Sequence, residues 1–196
     1  MKTFLHTFIV CFAFLAYQSL NAQNKGWVWQ NPQPQGNTIT FLAIKPNGLA
    51  IACAEAGGII ASADQGNVWT GRLTATSQDL FAVSFSSNNN GWAVGTNGTI
   101  VKTSDGGIRW EVQKSNVTAG LQSVYAVNDS IVYCVGRQAT ILKTTNGGSS
   151  WGRLISGFSV FLNGTAFSTE KNGWAVGNGG IVMATTNGGD TWFTQF

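Results

Sequence analysis

The stretch TTNGGSSW (Thr144–Trp151) decides how this chain is read. It sets a hydroxyl, a short polar acceptor, glycine and tryptophan at fixed spacing. Three other stretches keep that spacing: SADQGNVW (Ser62–Trp69), TSDGGIRW (Thr103–Trp110) and TTNGGDTW (Thr185–Trp192). The closing residues Trp69, Trp110, Trp151 and Trp192 stand 41 residues apart at every step. A period of this length without drift marks a repeat architecture, in which each unit buries its apolar faces only against neighbouring units.

Sliding the chain by 41 residues aligns more than the octets. GWAVG at 91–95 recurs at 173–177, with VYCVG (132–136) and AIACA (50–54) in the same slot. GGII, GTIV and ATIL follow in turn, with GGIV one residue out of register in the last repeat. Each unit reads as four short strands. In the second they are Leu80–Phe85, Trp92–Val94, Thr99–Thr103 and a strand beginning Trp110–Val112, with Asn-Gly signals between them. No helical stripe runs through the chain beyond its first residues. Four antiparallel strands in one such period are the size of a propeller blade. The predicted fold is all-β, a β-propeller whose four blades cover about 40–72, 80–114, 121–154 and 162–196. Residues 23–39 form an N-terminal strand and linker, in which Trp27–Gln30 reads as a lone outer strand. The last repeat already has Trp192-Phe193-Thr194 in that role, so one strand is surplus to a four-blade ring. The expectation is an arc of a larger propeller, with apolar faces exposed on its end blades.

The octet has a structural reading. The hydroxyl of Ser62, Thr103, Thr144 or Thr185 and the oxygen of Asp64, Asp105, Asn146 or Asn187 bond backbone N–H groups within a turn. Gly66, Gly107, Gly148 and Gly189 allow the positive φ that closes it. Trp69, Trp110, Trp151 and Trp192 start the outer strand and pack between sheets. The third position decides against chemistry: a catalytic acid or metal ligand relies on a carboxylate, whereas a cap needs only the acceptor oxygen that Asn keeps.

These octets resemble the Asp-box, the bacterial neuraminidase repeat. With GWAVGTNGTIVKTSDGGIRW (Gly91–Trp110) the chain is similar to the photosystem II stability/assembly factor family of β-propellers. The resemblance implies a propeller that binds other proteins. The photosynthetic members are chaperones that bind photosystem subunits through a basic surface patch. Many relatives are secreted proteins of non-photosynthetic bacteria, often exported by type IX secretion. WVWQNPQPQGN (Trp27–Asn37) resembles the opening of that second group, so the photosystem role is not carried over. Asp-box propellers also include sialidases and other glycoside hydrolases.

Lys2, the apolar run Phe8–Ala16 and the small residues up to Ala22 read as a secretory signal over 1–22. The expected location is outside the cell or in its envelope, with no membrane insertion of the mature chain. Of 11 Lys/Arg against 8 Asp/Glu, only Lys2 falls in the leader, so the mature balance gives no argument for nucleic acid. No cofactor is called for, and no histidine follows residue 22 to build a triad or zinc site. The arginines Arg72, Arg109, Arg137 and Arg153 occupy non-equivalent repeat positions, unlike a sialidase cluster. Cys53 and Cys134 look like a pair by count, but the repeat sets Cys134 level with Ala52, on the other face of a strand two units away, so two free thiols are expected. Lys102 and Lys143 share a strand position and read as edge residues with their ammonium groups in solvent.

One turn carries a varied residue per repeat: Glu55, Thr96, Arg137 and Asn178, between the second and third strands. Varied side chains on a shared frame suit a recognition surface. The sequence therefore points to a secreted, non-catalytic module for a protein or glycan partner. The alternative is a piece of an Asp-box glycoside hydrolase whose catalytic residues lie elsewhere.

Overall fold

Two aromatic residues show how one blade is packed. Phe85 sits opposite Gly91 across the first two strands of its sheet, and Phe167 opposite Gly173. A Cβ on Gly91 would come within 2.6 Å of the Phe85 ring. In the third repeat the volumes are exchanged, with Ala126 opposite Val132; in the first they are shared, with Ile44 opposite Ala50. In the second, third and fourth repeats the pair fills the same space with its bulk on one strand or the other, as close packing requires; Ile44 of the first is exposed.

The computed structural model describes residues 36–195, within the compact unit Asn31–Phe196. The expected leader and the strand at 27–30 lie outside the described residues. Blade 1 comprises β1 (Ile39–Ile44), β2 (Ala50–Ala54), β3 (Ile59–Ser62) and β4 (Thr70–Gly71). After β5 (Leu73–Thr74), blade 2 is built from β6 (Leu80–Phe85), β7 (Gly91–Gly95), β8 (Ile100–Thr103) and β9 (Arg109–Gln113). Blade 3 has β10 (Leu121–Ala126), β11 (Val132–Gly136), β12 (Ile141–Thr144) and β13 (Gly152–Leu154). Blade 4 has β14 (Leu162–Phe167), β15 (Gly173–Gly177), β16 (Val182–Thr185) and β17 (Phe193–Thr194). Every blade is an antiparallel meander, as the repeat predicts. The departure is β5. It leaves blade 1 and pairs in parallel with β9, Leu73 beside Arg109, so blade 2 carries a fifth strand. Its two residues are too short to show a period.

Three apolar cores lie between successive sheets. The first joins Ile51, Cys53, Ile59 and Ala61 of blade 1 to Leu80, Val83, Ala93, Val101 and Trp110 of blade 2. The second joins Ala82, Trp92, Val94 and Ile100 of blade 2 to Leu121, Val124, Cys134, Leu142 and Trp151 of blade 3. The third joins Tyr133, Val135 and Ile141 of blade 3 to Leu162, Phe167, Ala175, Met183 and Trp192 of blade 4. Each blade thus has a trailing face, which covers the next blade, and a leading face, which meets the one before. The alternation of strand side chains separates the two. Burying one such aliphatic or aromatic side chain contributes about 1.5–3 kcal/mol.

The same alternation parts the cysteines. Cys53 is on a trailing face and Cys134 on a leading face, in different cores, and both are free and buried. Burial pushes the Cys53 thiol up to about 11 and Cys134 well above its ordinary value, so both stay protonated and unreactive.

The exchange of volumes is testable by a double-mutant cycle. Gly91→Val should destabilise the fold by about 1–3 kcal/mol through overpacking against Phe85. Combined with Phe85→Ala, which reproduces the pair in blade 3, the loss should be smaller than the sum of the singles by about 1 kcal/mol or more. Denaturant unfolding measures all three; strict additivity would contradict the shared-space account.

Candidate functional site

In each octet the hydroxyl works twice. Thr103 Oγ1 donates to Asp105 Oδ1 at 2.8 Å and accepts the buried Gly107 N–H at 2.9 Å. Asp105 Oδ1 also accepts the N–H groups of Ile108 and Arg109, both at 3.0 Å. Ser62 and Asp64 repeat this with Gly66 and Val68. Thr144 with Asn146, and Thr185 with Asn187, repeat it with Gly148 and Ser150 and with Gly189 and Thr191. Gly107 sits at φ +92°, a conformation that favours glycine. The Asn copies carry a compensation. Asn146 Nδ2 donates to Ser150 Oγ and Asn187 Nδ2 to Thr191 Oγ1, each at 2.9 Å, so the nitrogen that replaces a carboxylate oxygen finds a hydroxyl. The Asp copies have Val68 and Arg109 at that place.

These turns are fastened to their surroundings. Gly106, Gly147 and Gly188 donate to the carbonyls of Asn89, Ser130 and Lys171 in the loop between the first two strands of the same blade. The preceding blade sends a cation. Lys45 Nζ donates to Gly106 O and Lys143 Nζ to Gly188 O, both at 2.8 Å. Lys102 Nζ lies over the Trp92 ring at 5.4 Å, as Lys143 does over Tyr133. This corrects the expectation for Lys102 and Lys143: β8 and β12 are flanked on both sides by strands, so neither has a free edge, and their ammonium groups enter the seams between blades. Burial lowers the pKa of Lys45, helped by Arg72 and opposed by Asp105.

The first-to-second-strand loops also clasp one another. Asn88 Oδ1 accepts Asn47 N–H; Asp129 accepts the Ser86 hydroxyl and Asn90 Nδ2; Glu170 accepts Asn128 Nδ2. Positions 88, 129 and 170 are equivalent, so each blade offers an acceptor to the blade before it. A broad hollow of about 660 Å³ opens here, lined by Ser86, Asn128, Asp129, Thr145 and Glu170 among others. Sequence reading missed this ratchet because Asn, Asp and Glu share a role there without sharing an identity. No group of three or more His, Cys, Asp and Glu able to hold a metal occurs among the described residues.

The four varied turn residues lie on the opposite side, where the second-to-third-strand turns emerge. Their backbones are alike. The N–H groups of Glu55, Thr96, Arg137 and Asn178 donate to the carbonyls of Thr38, Asp79, Gly120 and Phe161, the same position in each repeat. The next two residues are left-handed in all four: Ala56 and Gly57, Asn97 and Gly98, Gln138 and Ala139, Gly179 and Gly180. Because main-chain bonds hold the turn, its side chains are free to differ. Glu55, Arg137 and Asn178 are exposed and Thr96 is half-buried. Arg137 lies over the Phe161 ring at 5.8 Å, and Arg153 Nη2 reaches Gln138 O at 3.4 Å. Thr96 and Asn97 both donate to Gln78 Oε1.

The clasp separates by substitution and by pH. Thr103→Val should cost about 2 kcal/mol by leaving the buried Gly107 N–H unpaired. Asp105→Asn keeps the acceptor and should leave the melting temperature within about 3 °C at neutral pH. The carboxyls of Asp64, Asp105 and Asp129 all lie below their ordinary range. The Val68 N–H leads at Asp64; at Asp105 burial is the largest single influence and acts upward, but the Arg109 N–H, the Thr103 hydroxyl, the Ile108 N–H and the Arg109 charge together outweigh it; the Ser86 hydroxyl leads at Asp129. A depressed carboxyl stabilises the fold above its unfolded pKa of about 3.9 and loses that contribution as pH falls through the folded value. Asp105→Asn should therefore flatten the acid limb of the stability profile; an unchanged limb would contradict this.

Comparison with known proteins follows this geometry. A family model described as Photosynthesis system II assembly factor YCF48 matches residues 61–158, half of the chain. No curated protein matches. Among solved structures, YCF48 from Cyanidioschyzon merolae superposes with a TM-score of 0.66 at 19% identity, over 85% of this chain and 58% of that one. This chain thus spans 58% of the length of that structure. A YCF48 bound to D1 peptide gives a TM-score of 0.57 at 16% identity, over 85% and 82% of the two chains. The GH74 enzyme of Niastella koreensis gives 0.64 at 19% identity, over 80% of this chain and 30% of the enzyme. These likenesses establish the β-propeller fold, and the matched repeats establish kinship: the chain belongs to the YCF48 photosystem II assembly factor family of Asp-box repeat proteins.

Proposed function

We propose that this chain is a non-catalytic binding module, exported from the cytoplasm, that holds a segment of a protein partner on the face bearing Glu55, Thr96, Arg137 and Asn178. The observation that carries the reading is the shared left-handed backbone of these four turns beneath four different side chains. Varied side chains carried on one rigid frame are the arrangement a recognition surface uses. Main-chain groups in these turns bond within the scaffold, so a partner would meet side chains and rings: Arg137 with Phe161, Gln78 with Asn97, and Arg153. The solved YCF48 bound to D1 peptide supports a protein segment over a glycan as ligand class. Export rests on the leader read at 1–22.

The fold is shared with GH74 enzymes, which favours a second reading as part of a glycoside hydrolase. Against it, Asp64, Asp105, Asp129 and Glu170 are each occupied in turns or between loops. Hydrolysis of a glycosidic bond ordinarily needs two carboxyl groups facing one another across the substrate.

A peptide array probed with the purified chain tests the proposal. Peptides that bind should lose about tenfold or more in affinity with Arg137→Glu, about 1.4 kcal/mol, at unchanged melting temperature. Binding untouched by Arg137→Glu and Glu55→Arg, or cleavage of xyloglucan or sialosides by the chain, would overturn it.

A further inference from the structure

Between blades 2 and 3 the sheets leave a hollow of about 390 Å³, walled by Lys102, Ser104, Glu111 and Lys114 of blade 2 and by Gly147 and Ser149 of blade 3. A complete sheet stands on either side of it. The other two seams show what differs here. Lys45, Lys102 and Lys143 each bring Nζ beside the same turn glycine: a Cβ on Gly106, Gly147 or Gly188 would lie 3.1–3.2 Å from it. Lys45 and Lys143 donate to the carbonyl of that glycine. Gly147 O instead accepts Gln113 Nε2 at 3.3 Å, and Lys102 donates to no described residue. Trp92 Nε1, under the Lys102 ammonium, is also buried without a hydrogen-bond partner among the described residues, although Tyr133 at the equivalent position reaches Gly188 O. The charge around Lys102 differs as well. Lys114 stands where blades 1 and 3 have Leu73 and Ile155, and Ser149 where the next octet has Asp190. Asp129 feels the Lys102 charge, but its oxygens accept from Ser86 and Asn90. Glu111 lies opposite Lys102 in the sheet and makes no ion pair among the described residues.

We propose that this hollow binds the phosphate or sulfate ester of a small hydroxylated ligand such as a sugar. The two ammonium groups act as point charges toward the oxyanion, and the Ser104 hydroxyl donates to it. Glu111 sets the rest of the ligand. A carboxylate beside the lysines repels a bare anion, but it accepts hydrogen bonds from the hydroxyl groups of a sugar ring. The equivalent places in the other two seams carry no second lysine, and their ammonium groups are bonded to the turn. None of these residues is among the varied turn residues assigned above to partner binding, so the site is independent of that reading.

Calorimetric titration of the purified chain with glucose 6-phosphate, inorganic phosphate and glucose tests this. Glucose 6-phosphate should bind one to one, about tenfold or more tighter than inorganic phosphate, and glucose should give no measurable heat. Lys102→Gln and Lys114→Gln should each weaken glucose 6-phosphate about tenfold or more, the loss expected when a hydrogen bond to a charged group is removed. Lys114 is exposed, so its variant reports on binding even where Lys102→Gln disturbs the seam. Glu111→Gln removes the like charge and should tighten inorganic phosphate about threefold. Lys171→Gln, which removes an exposed cation outside the hollow, should leave the affinities unchanged. No saturable binding of glucose 6-phosphate, inorganic phosphate bound as tightly, Lys114→Gln without effect, or an equal loss with Lys171→Gln would overturn the proposal.

Discussion

One requirement governs the molecule: no sheet here has a core of its own. A four-stranded meander has two faces, and in blades 2 and 3 both are apolar and buried against the blades on either side. Trp92 and Val94 have no burial without Leu121, Val124 and Trp151 of the next blade. Stability therefore accrues at seams, as in other repeat proteins.

The Asp-box clasp follows from that requirement. In blades 2, 3 and 4 its tryptophan leaves the turn aimed into the seam behind it, whereas Trp69 of blade 1 is half-buried and outside the three cores. A turn of only a few residues needs its backbone bonded to hold that aim. A hydroxyl that donates and accepts, and an oxygen that takes the N–H groups of the last turn residues, provide this from two side chains. Trp110 Nε1 then bonds Gly107 O within the turn, while Trp151 Nε1 bonds Gln113 Oε1 of the preceding blade. The equivalent of Gln113 in blade 3 is Leu154, and Trp192 Nε1 is left without a partner. The clasp thus tolerates variation in the indole bond but keeps the hydroxyl–acceptor pair in all four copies. With Asp64, Asp105, Asp129 and Glu170 engaged in turns and loops, the groups free to vary are those on the opposite edge of the sheets.

The period of the tryptophans made the strands, the blade order and the parting of the two cysteines legible, because all three depend only on position along a repeated strand. The four varied turn residues were legible on the same ground. What escaped were contacts between sheets. The burial of Lys102 and Lys143 depends on which strand of a sheet is interior and on the turn of the following blade. The relay from Asn47 to Glu170 uses three residue types at one place, so no identity repeats. The pairing of β5 with β9 depends on a connection crossing to the next blade. Each is fixed by how blades face one another, which a period along one chain does not encode.

Native-state hydrogen exchange at the Gly107, Gly148 and Gly189 amides tests the central claim most directly, since each N–H is held by the octet hydroxyl at 2.8–2.9 Å. If the octets are clasps bound to the seams, these amides exchange only with the opening of whole blades, at the rate of the strand amides beside Trp92 and Tyr133. Exchange near the rate of an unfolded chain, with those strands still protected, would contradict the account.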